Sequence, residues 1–309
     1  MSVTVVGSIA YDAVRTPFGE RERMLGGSAV HFSLAASFFC ETRVVGPVGD
    51  DFGEEQYAVL RKREVITDDI EHVPGGKTFF WRGSYQYDLN TAHTEDTQLG
   101  VFGDFEPKLS PEARAAEYLF LANIQPELQL RVRRDCSGAQ FSGLDSMNLW
   151  IETEHEALAK AIGSVDIVFL NDTELRMFAR EPNLVRAART VMSMGPGVIV
   201  AKQGEYGAAL FVGDRFFALP AFPLETVSDP TGAGDSFAGG FLGYLASRGP
   251  EALQDQAELR RGMTYGSVLA SFNVEEFGTD RVARLTRREI DERFSELRRM
   301  TTLAELPRV

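Results

Sequence analysis

Asp235 stands directly behind Gly232, Ala233 and Gly234 in the stretch VSDPTGAGDSFAGGFLGYLAS, Val227 to Ser247. Glycines let main-chain N–H groups approach a ligand that side chains would hold off. The amides that open a helix have no internal partner, so such an end is built to hold an anion. Phe237, Phe241, Leu242 and Leu245 recur at helical spacing, which predicts a buried helix over 232–247 with Asp235 in its first turn. That sets a carboxylate where a phosphate would sit. No Lys follows the glycines as a P-loop requires, and Gly232, Gly234 and Gly239 do not satisfy the G-x-G-x-x-G of dinucleotide sites. A lone Gly-Ala-Gly reads first as an ordinary tight turn capped by an acid, so the rest of the chain has to decide.

Positioning such a turn takes a scaffold, and the sequence describes one. Strand-like VTVVG, RVVGPVG, EYLFLAN, AQFSGLD, DIVFLN and GVIVAK alternate with helix-length segments such as SAVHFSLAASFF and GEEQYAVLRKR. This β/α alternation predicts a mainly parallel sheet covered on both faces. In such sheets ligands bind beyond the carboxyl ends of the strands. Polar residues gather there: Asp12, Asp50, Asn123, Gln125, Asp145, Asn171, Glu174 and Lys202 each follow or end a strand candidate. Any one of them is as readily a loop or cap residue as a functional one; their repetition at one rim is what suggests a site.

Two segments break the alternation. Residues 11–25 are long for a connection, and KTFFWRGSYQYDLNTAHT, 77–94, is rich in aromatic and β-branched residues. Both read as β-ribbons leaving the main sheet, able to close over a substrate as a lid or to pair with a second copy through an exposed edge. Trp81, Tyr85 and Tyr87 line such a lid or pack among themselves. Later come a hairpin turning at Gly213 and Asp214, a helix over 257–273, and a salt-bridged Arg/Glu helix over 286–300.

The chain has 309 residues, 44% of them hydrophobic, enough for one large α/β domain, taken as 1–309. A formal net charge of -13 argues against nucleic-acid or acidic-membrane partners, although local amides, a metal ion and a few cations can hold one small phosphorylated ligand. Cys40 and Cys136 are too few for a disulfide framework and lack metal-ligand spacing. No run reaches the roughly 20 apolar residues of a membrane span, and VTVVGSIA shows no targeting pattern, so a soluble cytoplasmic protein is expected.

GGSAVHFSLAA, NDTE and DPTGAGDSFAGGF, in this order, resemble the ribokinase family, also called the PfkB carbohydrate kinases, and the likeness runs from Val3 to about Leu297. It implies a three-layer α/β/α sandwich with a mainly parallel central sheet and a small β-lid, and transfer of the γ-phosphoryl of ATP to a hydroxyl of a sugar, nucleoside or related alcohol. Asp235 is then the base that takes the hydroxyl's proton, and Gly232, Ala233 and Gly234 supply the anion hole. Such a transfer needs positioning and charge stabilisation more than covalent help, so an ordinary carboxylate pKa would suffice.

By the same resemblance, Asn171 and Glu174 help place Mg2+ and the phosphates. Asp229 and Thr231 lie where many relatives bind K+. Lys202 sits near the phosphates, or pairs with a neighbouring acid. Gly204 borders the nucleotide, and the adenine pocket is expected near 262–273, ending at Asn273. Asp12, Gly26 and Gly27 match positions that bond substrate hydroxyls. His31 replaces the Asn usual in ribokinases, and either meets substrate or is a packed helix histidine. LANIQPELQ and DSMNLWIE resemble a subgroup labelled only as sugar kinases, which implies Asn123 and Asp145 on the acceptor side or the phosphate path. The leading expectation is an ATP- and Mg2+-dependent kinase of a sugar or sugar-like polyol. The alternatives are a nucleoside kinase and a non-catalytic nucleotide-binding regulator, and a homodimer through the lid is a further expectation.

Overall fold

The computed structural model describes residues 1–302. Nine strands form the main sheet and four a separate lid. In chain order the strands are β1 (Ser2–Val6), β2 (Ala10–Thr16), β3 (Gly19–Gly26), β4 (Glu41–Val48), β5 (Ile70–His72), β6 (Phe79–Tyr85), β7 (Ala92–Gln98), β8 (Tyr118–Leu121), β9 (Phe141–Asp145), β10 (Ile167–Asn171), β11 (Val198–Lys202), β12 (Ala208–Val212) and β13 (Arg215–Leu219). The main sheet runs β13-β12-β11-β10-β9-β8-β1-β4-β5, parallel except where β12 runs antiparallel to both β11 and β13. The lid runs β3-β2-β6-β7.

Sequence and sheet agree for a physical reason. VTVV, YLFL and IVFL are continuous apolar runs because helices cover both faces, and their side chains feed two separate cores. On one face Phe32 stacks on Phe120 with ring centroids 4.1 Å apart, and Phe169 meets Phe241 edge-on. The anticipated ribbons are β2/β3 and β6/β7, the second reaching Gln98 rather than Thr94. β5 is an addition, paired in parallel with the end of β4. With three residues it is too short to show a period of its own.

The helix Ala233–Arg248 lies between Ser28–Ala36 and Gln256–Asn273. Glycine inside a helix costs about 0.5–1 kcal/mol. Here it allows close packing: a Cβ on Gly239 would come within 2.4 Å of the Phe32 carbonyl. This packing fixes the start of that helix against its neighbours. No helix among the described residues is long and apolar enough to cross a membrane.

Candidate active site

The glycine turn enters its helix through Gly232, which is left-handed at φ 75°. A side chain there would be strained, and its Cβ would also meet the His31 ring at 2.4 Å. Ala233 N–H turns back onto Pro230 O at 3.2 Å. Of the three amides anticipated for an anion hole, Ala233's is therefore spent on the turn, leaving those of Gly232 and Gly234. Asp235 follows in the first turn. Burial, with Asp145 adding and Lys202 opposing, pushes its carboxyl up to about 7. The transfer does not require a raised value, yet burial of the site produces one.

One side of the site is built from the ends of β9, β10 and β11. Asn171 and Glu174 form a capping box: Glu174 N–H donates to Asn171 Oδ1 and Asn171 N–H to Glu174 Oε2, both at 2.7 Å. The Asn-x-x-Glu motif is thus the N-cap of its helix and a pair of hard oxygen donors at once. Burial raises the Glu174 carboxyl to about 7, against the pull of Lys202. Lys202, level with Asn171 in the sheet register, reaches across to Asp145 Oδ2 at 2.5 Å. Burial works against its charge, but Asp145, Glu174 and Asp235 outweigh it and hold the ammonium protonated. Gln129 reinforces the rim by donating to Ala122 O and Asp145 O. It sits on an amphipathic helix where nothing in the sequence singles it out.

On the lid side, Asp12 is buried on strand β2, its carboxylate lying over Gly26. Burial and then Asp229 raise it to about 7, while a Gly27 N–H bond pulls the other way. Trp81 pairs with Asp12 in the β2/β6 register, so both face the same side of the lid. A Cβ on Gly83 would lie 2.1 Å from the Trp81 ring, so the half-buried indole lies along β6 over that glycine. Tyr85, on the same strand, reaches the glycine turn. Its hydroxyl accepts from Thr231 Oγ1 at 3.2 Å, and Tyr87 is exposed.

Several residues anticipated as ligand contacts have protein partners in the structure. Asn123 accepts from Trp150 Nε1 and donates to Met147 Sδ, which commits its amide to the 147–150 segment. Asn273 is fully buried and bonded to protein on both amide atoms. His31 is buried beneath Gly232, with Nδ1 2.9 Å from Asn273 Oδ1, and burial lowers its pKa to about 4. Of its two alternatives the packed one describes Nδ1, while Nε2 has no partner among the described residues. Gly204, left-handed at φ 56°, lies under lid-tip Asn90. Asp229 accepts from Thr231 N and Gly278 N, one per oxygen, latching two loops.

A sheet rim that gathers Lys202 among several carboxylates thus faces a glycine-opened helix start and a lid carrying an acid. The chain belongs to the pfkB family of carbohydrate kinases, whose family model matches residues 2–284. It is 30% identical over 256 residues to a cytidine kinase of Thermococcus kodakarensis, covering 80% of this chain and 90% of that one. It is 37% identical over 267 residues to a nucleoside kinase of Methanothermobacter thermautotrophicus, covering 82% and 79%. The solved structure of a Burkholderia thailandensis nucleoside kinase in complex with inosine superposes with a TM-score of 0.81 at 20% identity, over 96% of this chain and 98% of that chain. At that identity the superposition speaks for the fold.

Proposed function

We propose that this chain is an ATP-dependent nucleoside kinase that phosphorylates a sugar hydroxyl of its acceptor. The likeness to two nucleoside kinases over four-fifths of the chain carries this reading in preference to a free sugar or polyol. Trp81 supports it: a half-buried indole on the Asp12 face of the lid offers a stacking surface for a base. Asp12 accepts from ribose hydroxyls beside Gly26 and Gly27, as a carboxylate can from two adjacent donors.

In the transfer, the acceptor oxygen bonds to the γ-phosphorus as the bond from that phosphorus to the β–γ bridging oxygen breaks, its electron pair leaving with ADP. The acceptor's proton passes to Asp235. Gly232 and Gly234 amides and the Lys202 ammonium face the charge on the transferring group. Asn171 and Glu174 would supply oxygen donors for Mg2+, and Asp229 and Thr231 those for K+. Bound magnesium neutralises phosphate charge. The lid excludes water from the transfer.

ATP consumption across nucleosides, pentoses, hexoses, sugar phosphates and inositols, with Asp235→Asn as the blank, tests the reading. Asp235-dependent turnover of a nucleoside at a kcat/KM well above any sugar is expected. Preference for a free sugar would return the polyol reading, and tight ATP binding without turnover of any acceptor would favour a regulator.

A further inference from the structure

Asn273 and His31 occupy no ligand-facing surface, yet they touch the anion hole from below. Asn273, the last residue of the Gln256–Asn273 helix, donates from Nδ2 to Thr231 O at 2.7 Å. Its Oδ1 accepts from Ser236 Oγ at 3.0 Å and faces His31 Nδ1 at 2.9 Å. Since Nδ2 must meet a carbonyl, Oδ1 is fixed as the acceptor, and His31 must bring its proton on Nδ1. One amide thus joins the glycine turn, the first turn of the Asp235 helix and the helix Ser28–Ala36.

The consequence follows from peptide planarity. Thr231 O and Gly232 N–H belong to one trans peptide unit, so they point in opposite directions. Holding the carbonyl toward the buried Asn273 turns the Gly232 N–H away from the core, and that N–H has no protein partner among the described residues. The left-handed φ of 75° at Gly232 is the backbone signature of this orientation, and the His31 ring fills the space where a side chain would stand. We propose that Asn273 and His31 are positioning residues that aim the Gly232 amide at the transferring phosphoryl group: Asn273 by holding the other end of the same peptide unit, His31 by locking the Asn273 amide. The inference rests on the phosphoryl-transfer reading above.

Asn273→Asp puts an oxygen against Thr231 O, and His31→Phe keeps the ring under Gly232 while removing its N–H. Losing one well-aimed anion-hole donor costs about 10²–10³-fold in kcat. Asn273→Asp is expected in that range and His31→Phe at roughly tenfold, with KM for ATP and acceptor within about threefold. Calorimetric titration of each full-length variant with ADP, alone and with aluminium fluoride, supplies the second readout. ADP affinity should hold while affinity for the fluoride complex falls in step with kcat. Variants with normal kcat per folded molecule and only a lower Tm would overturn the inference, as would loss of ADP affinity with kcat intact, which would make Asn273 a nucleotide ligand. If Asn273→Asp does not fold, His31→Phe decides by the same criteria. The titration needs no acceptor, so wild-type silence on every acceptor would strike the functional reading alone.

Discussion

The Lys202 ammonium lies 2.5 Å from the Asp145 carboxylate and fills the space beside the Gly234 α-carbon, where a Cβ would come within 2.9 Å of Nζ. A buried pair of this kind is a weak source of stability, because desolvation offsets the attraction. Its position gives it another use. Asp145 holds the cation at the anion hole in the absence of phosphate, and the carboxylates around it keep that cation charged. Lys202→Met is expected to lower kcat by about 10²–10³-fold. It also removes the neighbouring positive charge that favours ionised Asp235, so any residual kcat/KM should rise with pH through a more alkaline limb than in the wild type. A pH–rate profile that keeps its limb in place would refute the electrostatic link.

The wild-type profile is itself informative. Asp235, raised to about 7 by burial first and Asp145 second, must be ionised to accept a proton. Below its pKa the base is occupied, so kcat/KM should climb as pH rises from 6 to 8, with an apparent pKa near about 7. The groups are coupled, so the limb belongs to the cluster rather than to Asp235 alone. Asp235→Asn should lose roughly 10²–10⁴-fold in turnover and retain ATP affinity. A limb near 4 would mean that the base sits in a wetter setting than the structure gives it.

Much of this is legible in the sequence. The apolar runs declare the sheet because both faces are covered, and residues at strand ends declare a rim because a parallel sheet brings its carboxyl ends to one side. Lys202, Asp145 and Glu174 converge for that reason, and Asp235 meets them from the start of its helix. What sequence order cannot carry is side-chain direction. Asn123 and Asn273 stand at promising places, but one turns to Trp150 and the other into the core. Gln129 and Ser236 give no local signal, since their partners are distant carbonyls and an amide. The lid was visible as aromatic ribbons, whereas the contact of Tyr85 with Thr231 joins residues 146 positions apart.

That contact ties the lid to the glycine turn. Thr16 Oγ1 donates to Ser228 O at 2.9 Å and Thr231 Oγ1 to Tyr85 at 3.2 Å, so both central lid strands grip the segment before the anion hole. Burial holds the Tyr85 phenol well above its ordinary pKa, so it remains a neutral hydroxyl at every working pH. Tyr85→Phe removes the acceptor while keeping the ring. A net hydrogen bond is worth about 1 kcal/mol, which corresponds to roughly a fivefold loss. Steady-state kinetics should place that loss in kcat/KM for the acceptor, with ATP KM unchanged. An effect on ATP KM alone would show that the lid and the turn act separately.

The same electrostatics that poise the site should make it costly to fold around. In the unfolded chain Asp235 ionises near its ordinary value of 3.8, whereas in the folded protein it keeps its proton to about 7. Below the lower value both states are protonated and nothing is gained or lost. Between the two, the unfolded state sheds its proton first, so stability falls as pH rises; above about 7 the penalty is constant. Asp235→Asn has no proton to lose. Its stability advantage over the wild type should therefore be absent near pH 4, grow toward pH 7 and level off beyond. Each tenfold in proton affinity is about 1.4 kcal/mol, and discounting for water in the open site leaves roughly 2 kcal/mol at pH 8. Thermal unfolding of both proteins without nucleotide or magnesium, at pH 5 and pH 8, reads the difference as a Tm gain of on the order of 4 °C at the higher pH. Equal Tm values at pH 8 would mean that Asp235 is not strained by its surroundings, and the raised limb in the rate profile would need another owner.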